Sequence, residues 1–140
     1  MDDLHASYLS YNAALLTLSA HVAASLDLTV SEMAALDHLQ LDGPLTASDL
    51  VKRVGLSSGS VTALVDRLVA RGFVTREPNP ADRRSVLIRY VPQERAVVGR
   101  QYAVLERLGG VLGALDGAER IAVQAFLTRM ADAGMGSTEA

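Results

Sequence analysis

The chain has 140 residues, of which 49% are apolar, enough for one globular domain that buries a core without covalent staples. It contains no cysteine, which excludes disulfides, thiol catalysis and thiolate metal sites. Its net charge of -3 is unevenly placed: between residues 45 and 91 eight basic residues stand against four acidic ones, a net +4, and the remainder carries -7, so only the middle is suited to face a polyanion.

Asp2 and Asp3 stand where a secretory leader would carry positive charge, and the expectation is a cytoplasmic protein. The most apolar window, "AALLTLSAHVAASLDLTV", is broken by Thr17, Ser19, His21, Ser25 and Asp27, too polar for a spanning helix, so no membrane partner is expected. Leu4, Tyr8, Tyr11, Leu15, Leu18, Val22 and Leu26 form one helical seam, and Leu9, Ala13, Leu16, Ala20 and Ala23 form a second stripe. A helix apolar on two sides needs two surfaces to pack against, and a small domain usually offers one. A second subunit supplies the other in this reading.

Thr29 with Glu32 resembles a capping box opening a helix to about Leu41, which "DGP" closes. Thr46 opens a short helix, "ASDLVKRV", stopped by Gly55, and Ser57 caps the next, "SGSVTALVDRLVAR", stopped by Gly72. Two short helices joined through a glycine turn form a helix-turn-helix pattern. "FVTRE" and "SVLIRYV" then read as the strands of a β-hairpin around the turn formers "PNPADRR". Pro92 fits a first helical position, opening a helix to about Leu115 that Gly109, Gly110 and Gly113 weaken. A last helix, about Gly117 to Ala133, carries Ile121, Ala125, Phe126 and Met130 on its apolar side.

Several chemistries fall away. "GLSSG" matches a nucleophile elbow, but a helix precedes it where a strand is required, and all three histidines lie upstream. Ser57 is a helix cap, and no enzyme activity is expected. His5, His21 and His38 are 16 and 17 residues apart, which is no metal-ligand spacing, so neither metal nor cofactor is expected. Tyr8, Tyr11 and Tyr102 read as core or interface residues.

The helix from Ser58 to Arg71 can be read by face at 100° per residue. Val61, Leu64, Val65 and Leu68 form the stripe that packs on the domain. Opposite lie Ser58, Gly59, Ser60, Thr62, Ala63, Asp66 and Arg67, small and hydrogen-bonding toward the N-terminal end. Such a surface can enter a major groove closely, its hydroxyls meeting bases or phosphates. Asp66 is unfavourable near phosphate and is expected to pair with an arginine of the hairpin or a neighbouring helix.

The stretch "LTASDLVKRVGLSSGSVTALVDRLVARGFVTREPNPADRRSVLIRYV" resembles the winged helix-turn-helix of the multiple-antibiotic-resistance regulator (MarR) family, with its "VDRL…RGFV" core and its D-x-R wing, here Asp82, Arg83 and Arg84. The resemblance implies a mainly α fold (α+β): one domain over residues 1–140, a winged helix-turn-helix DNA-binding lobe at 29–91, and long dimerisation helices at 1–28 and 92–140. It also implies a bacterial homodimer on a pseudopalindromic double-stranded DNA operator, usually a repressor released by a small-molecule effector. The family's pocket lies between lobe and dimer helices, where Tyr8, Asn12 and His38 are candidates without being assigned. One departure stands out: Tyr90-Val91 replaces the usual Leu-Thr after the wing, so the next helix lacks a side-chain cap.

In this frame Arg83 and Arg84 are minor-groove residues, because the groove over A·T-rich sequence is narrow and strongly negative. Asp82 orients Arg84 or the turn. Lys52, Arg53 and Arg76 are candidates for phosphate contacts that set register. The alternative is a winged-helix module that docks a protein and no longer binds DNA.

Overall fold

The computed structural model describes residues 2–94 and 99–136. The chain divides into two compact units, Met1–Val97 and Val98–Ala140.

In the first unit, α1 (Asp3–Ser25) starts at Asp2, whose carboxylate accepts from His5 N at 2.7 Å. Only Val22 and Ala23 of this helix are buried, while Leu4, Tyr8, Leu9, Tyr11, Leu15 and Leu16 are exposed, so both expected stripes lie largely uncovered along its first five turns. The helix ends in a turn at Asp27, which takes φ 54°, a left-handed conformation that Asp tolerates better than most residues. Thr29 then caps α2 (Val30–Asp42) through the expected capping box: Thr29 Oγ1 accepts from Glu32 N at 3.1 Å, and Glu32 Oε2 accepts from Thr29 N at 2.8 Å.

Thr46 repeats the device at α3 (Ala47–Val54), with Asp49 as its partner. Gly55, at φ 68°, ends that helix in the left-handed conformation that glycine adopts at little cost. Ser57 caps α4 (Ser58–Ala70), and Gly72, at φ 76°, turns the chain into the sheet. Val61, Leu64, Val65 and Leu68 are all buried, as the period of the helix requires, and they close the core with Leu50, Phe73, Val74 and Ile88.

The sheet has three antiparallel strands, one more than the expected hairpin. β1 (Leu45–Thr46), β2 (Val74–Pro78) and β3 (Val86–Tyr90) lie in the order β1-β3-β2. Leu45 and Thr46 pair with Ile88 and Leu87, and β2 pairs with β3 from Val74↔Tyr90 to Pro78↔Val86. The β1 pairing pins the start of α3 to the wing, which fixes the two short helices against the hairpin.

Helix does not begin at Pro92. Val91 N donates to Phe73 O at 2.9 Å, extending the strand pairing, and Gln93 Nε2 donates to Val91 O at 2.7 Å and Gly72 O at 3.1 Å. These bonds hold residues 91–94 in irregular backbone. Residues 95–98 and the side chain of Tyr102 lie outside the described residues.

In the second unit, α5 (Gly99–Gly113) and α6 (Gly117–Gly136) are joined by a turn in which Asp116 and Glu119 cap each other reciprocally, both bonds at 2.9 Å. Ile121, Phe126 and Met130 of α6 are exposed, Ile121 at 71%. Among the described residues no single helix is long and apolar enough to cross a membrane.

Candidate nucleic-acid interface

The exposed end of α4 begins with a cap. Ser57 Oγ accepts from Ser60 N at 3.2 Å and donates to Ser60 Oγ at 2.9 Å, which leaves the Ser60 hydroxyl its own proton to donate. Ser58, Gly59, Ser60, Thr62 and Ala63 are exposed together along the first two turns. Thr62 Oγ1 donates back to Ser58 O at 3.0 Å, so its hydroxyl is oriented and still able to accept. None of these five side chains is bulky, so a partner can approach the backbone of the first two turns closely.

Asp66, on the same face one turn further, pairs with Arg76 of β2. This is the pairing expected for a carboxylate that would otherwise repel a polyanion. Arg67 donates through Nε to Glu32 Oε1 at 2.7 Å, while its side chain stays 56% exposed. Arg53 is held by Asp42 at 2.8 Å. Arg89 forms a two-pronged pair with Glu77 across the wing strands, at 2.6 and 2.8 Å. Arg71 donates to the carbonyls of Leu26 and Asp27 and lies over the Phe73 ring, 5.3 Å from its centre. Among the described residues, Lys52, Arg83 and Arg84 form no ion pair, and all three are exposed. The eight cations of the lobe thus separate into five tied to the fold and three left for solvent or a ligand.

At the wing tip Asp82 does orient the turn: its Oδ1 accepts from Arg84 N at 2.9 Å. A cleft of about 320 Å³ runs between α4, the start of α3 and the wing, lined by Thr46, Ser48, Thr62, Arg76, Arg84 and Ser85 among others. It brings together Thr62, Arg76 and Arg84 from three elements. Lys52 and Arg53, in the last turn of α3, are not among its lining residues.

Two carboxylates beneath this surface titrate low. Burial by itself would raise Glu32, but the hydrogen bonds from Arg67 and Thr29 and the charges of Arg67 and Arg71 outweigh it and hold the group below its ordinary 4.5. Asp49 is held below 3.8 chiefly by its bonds from the Thr46 side chain and backbone. Sequence reasoning had placed Glu32 in a cap only, and had assigned Arg71 no role beyond its charge. Their long-range contacts leave no local spacing, and the one available signal was a basic residue on each of two successive turns of a helix otherwise free of lysine and glutamate.

Comparison with known proteins bears on the fold of this lobe. A sequence model of the MarR family matches residues 26–85. The chain is 52% identical over 66 residues to an uncharacterized HTH-type transcriptional regulator, YcgE, of Bacillus subtilis, covering 47% of this chain and 43% of that protein. It is 33% identical over 72 residues to the multiple antibiotic resistance protein MarR of Salmonella typhimurium, covering 51% and 50%. The matches thus span about half the length of these relatives. Among solved structures, BpsR of Bordetella bronchiseptica, whose DNA binding is regulated by 6-hydroxynicotinic acid, superposes with a TM-score of 0.56 at 27% identity, over 94% of each chain. Over 106 residues the chain is also 27% identical to the HTH-type transcriptional repressor NicR of Pseudomonas putida, covering 75% of this chain and 67% of that protein. Residues 26–85, which hold most of the winged helix-turn-helix, thus carry a MarR-family domain, and over that part the chain is similar to MarR-family regulators.

Proposed function

We propose that the chain is a homodimeric, sequence-specific DNA-binding repressor, released from a pseudopalindromic operator by a small-molecule effector. The observation that carries this reading is the division of charge in the lobe: Lys52, Arg83 and Arg84 form no ion pair among the described residues, while Arg53, Arg67, Arg76 and Arg89 are each paired with a carboxylate. A surface meant only for solvent has no use for that separation. In this reading Ser58, Gly59, Ser60, Thr62 and Ala63 meet base edges in the major groove, Arg83 and Arg84 enter the minor groove, and Lys52 meets phosphate. Arg53, Arg67 and Arg76 reach phosphate at most with the part of the guanidinium left free by Asp42, Glu32 and Asp66. Asp82 supports Arg84 without touching DNA.

The homodimer reading is supported by the exposed apolar positions of α1 and α6, because soluble monomers rarely leave large apolar surfaces uncovered. The effector is supported by BpsR, a similar protein regulated by a small aromatic acid. The test is selection of genomic fragments by the purified protein at stated salt. Enrichment of fragments sharing a two-fold symmetric sequence is the expected result. No enrichment over random fragments would contradict the DNA reading and favour a lobe that docks protein.

A further inference from the structure

The loop between β2 and β3 runs from Asn79 to Ser85, seven residues, longer than the two to five that usually connect a hairpin. The ladder ends at Pro78↔Val86 and cannot fix so long a loop. Its conformation has to be set from within, and one side chain ties its two ends together. Asn79 Oδ1 accepts from Ala81 N at 3.0 Å, an Asx turn around Pro80, whose ring fixes its own φ. Asn79 Nδ2 donates to Ser85 Oγ at 2.8 Å. Ser85 in turn donates through N and Oγ to Asp82 O, at 3.1 and 3.3 Å. Asn79 and Ser85 are half-buried, whereas Arg83 and Arg84 between them are exposed.

We infer that Asn79 is a positioning residue for DNA recognition: by bridging Ala81 and Ser85 it pre-organises the wing tip, so that Arg83 and Arg84 are presented in one arrangement before DNA arrives. This rests on the DNA-binding reading above. A tip already ordered loses little conformational freedom on binding, and a tip without the bridge must be ordered at that moment. Asn79 carries no charge, so its contribution has a signature different from that of an arginine. Removing it weakens binding by a similar factor at every salt concentration, because the number of phosphates neutralised is unchanged.

The experiment titrates a duplex selected from a random-sequence pool by the parent protein, at four salt concentrations, with the parent, Asn79→Ala, Ser85→Ala and the double variant, alongside thermal melting of each. The expected result is a loss of about tenfold in affinity for Asn79→Ala and a salt slope parallel to the parent's. Ser85→Ala should lose a similar factor, and the double variant little more than either alone, since both break the same bridge. Melting should move little, because the bridge lies at the tip and away from the core. Parent-like affinity in both single variants, or a slope reduced as if an arginine had been lost, would overturn the positioning role. Failure of the parent to select any duplex would instead overturn the DNA-binding reading itself.

Discussion

Glu32 Oε1 accepts from Arg67 Nε at 2.7 Å across 35 residues of chain, while the other oxygen of the same carboxylate caps α2 through Thr29 N. One buried acid therefore holds the first turn of α2 and the last turn of α4 in a fixed relation. The Glu32 side chain is 5% exposed and that of Arg67 56%, so the two ends of the pair are not equivalent. The acid cannot regain water when its partner is removed, whereas the guanidinium can. Arg67→Ala should accordingly destabilise the fold by about 1–3 kcal/mol, the cost of a buried charged acceptor losing a partner. Urea unfolding of variant and parent measures this. A change within about 0.5 kcal/mol would mean that the pair is a surface contact of little weight.

The same carboxylate gives stability an acid limb. Its folded value lies below the ordinary 4.5, so between the two values the unfolded chain binds the proton and the native chain does not. Stability from this group is fully present above about 4.5 and is lost as pH falls through the folded value. Glu32→Gln, which keeps an acceptor oxygen and removes the titration, should flatten the fall in unfolding free energy below pH 4.5. Asp49 contributes a similar limb below 3.8, and the variant should therefore retain part of the slope. An acid limb as steep in Glu32→Gln as in the parent would contradict the assignment.

Readout and positioning should separate between two exposed residues. Thr62→Ala removes an oriented hydroxyl on the groove-facing surface and should relax preference at particular operator bases, at about 1–3 kcal/mol, while Lys52→Ala should weaken all sequences alike and lower the salt slope by up to about 1.8, two contacts per dimer at about 0.9 each. Competition titrations with operator and random duplexes distinguish them. Equal weakening of both duplexes by both variants would remove α4 from the major groove.

Assembly is tested without DNA. Light scattering at micromolar concentration should give twice the chain mass of 14.8 kDa. A clean monomer would contradict both the dimer and the two-fold operator.

Local signals were legible in the sequence where chemistry is local. Thr29, Thr46 and Ser57 cap the helices that they were expected to open, the stripe of α4 is buried, and the wing strands fall within one or two residues of their expected bounds. β1 was missed because two residues carry no periodicity, and their pairing exists only because β3 presents an edge. Pro92 misled because a proline that suits a helix start suits a strand exit equally, and the Val91–Phe73 bond decides between them. At the interface, the small surface of α4 and the wing arginines were visible from residue type. The allocation of Arg53, Arg67 and Arg76 to partners was not, since it depends on which carboxylates the fold brings within reach.

The central claim is that α4 and the wing bind DNA together, and the wing arginines test it most directly. Arg83 and Arg84 are exposed and form no ion pair among the described residues. Operator titration across salt concentrations should show that Arg83→Ala/Arg84→Ala loses most of its affinity and flattens the salt slope by up to about 3.6, four contacts per dimer at about 0.9 each, while melting moves by no more than about 0.5 kcal/mol. Operator affinity and salt slope equal to the parent's, in a double variant that melts normally, would show that the wing is not a DNA-binding element.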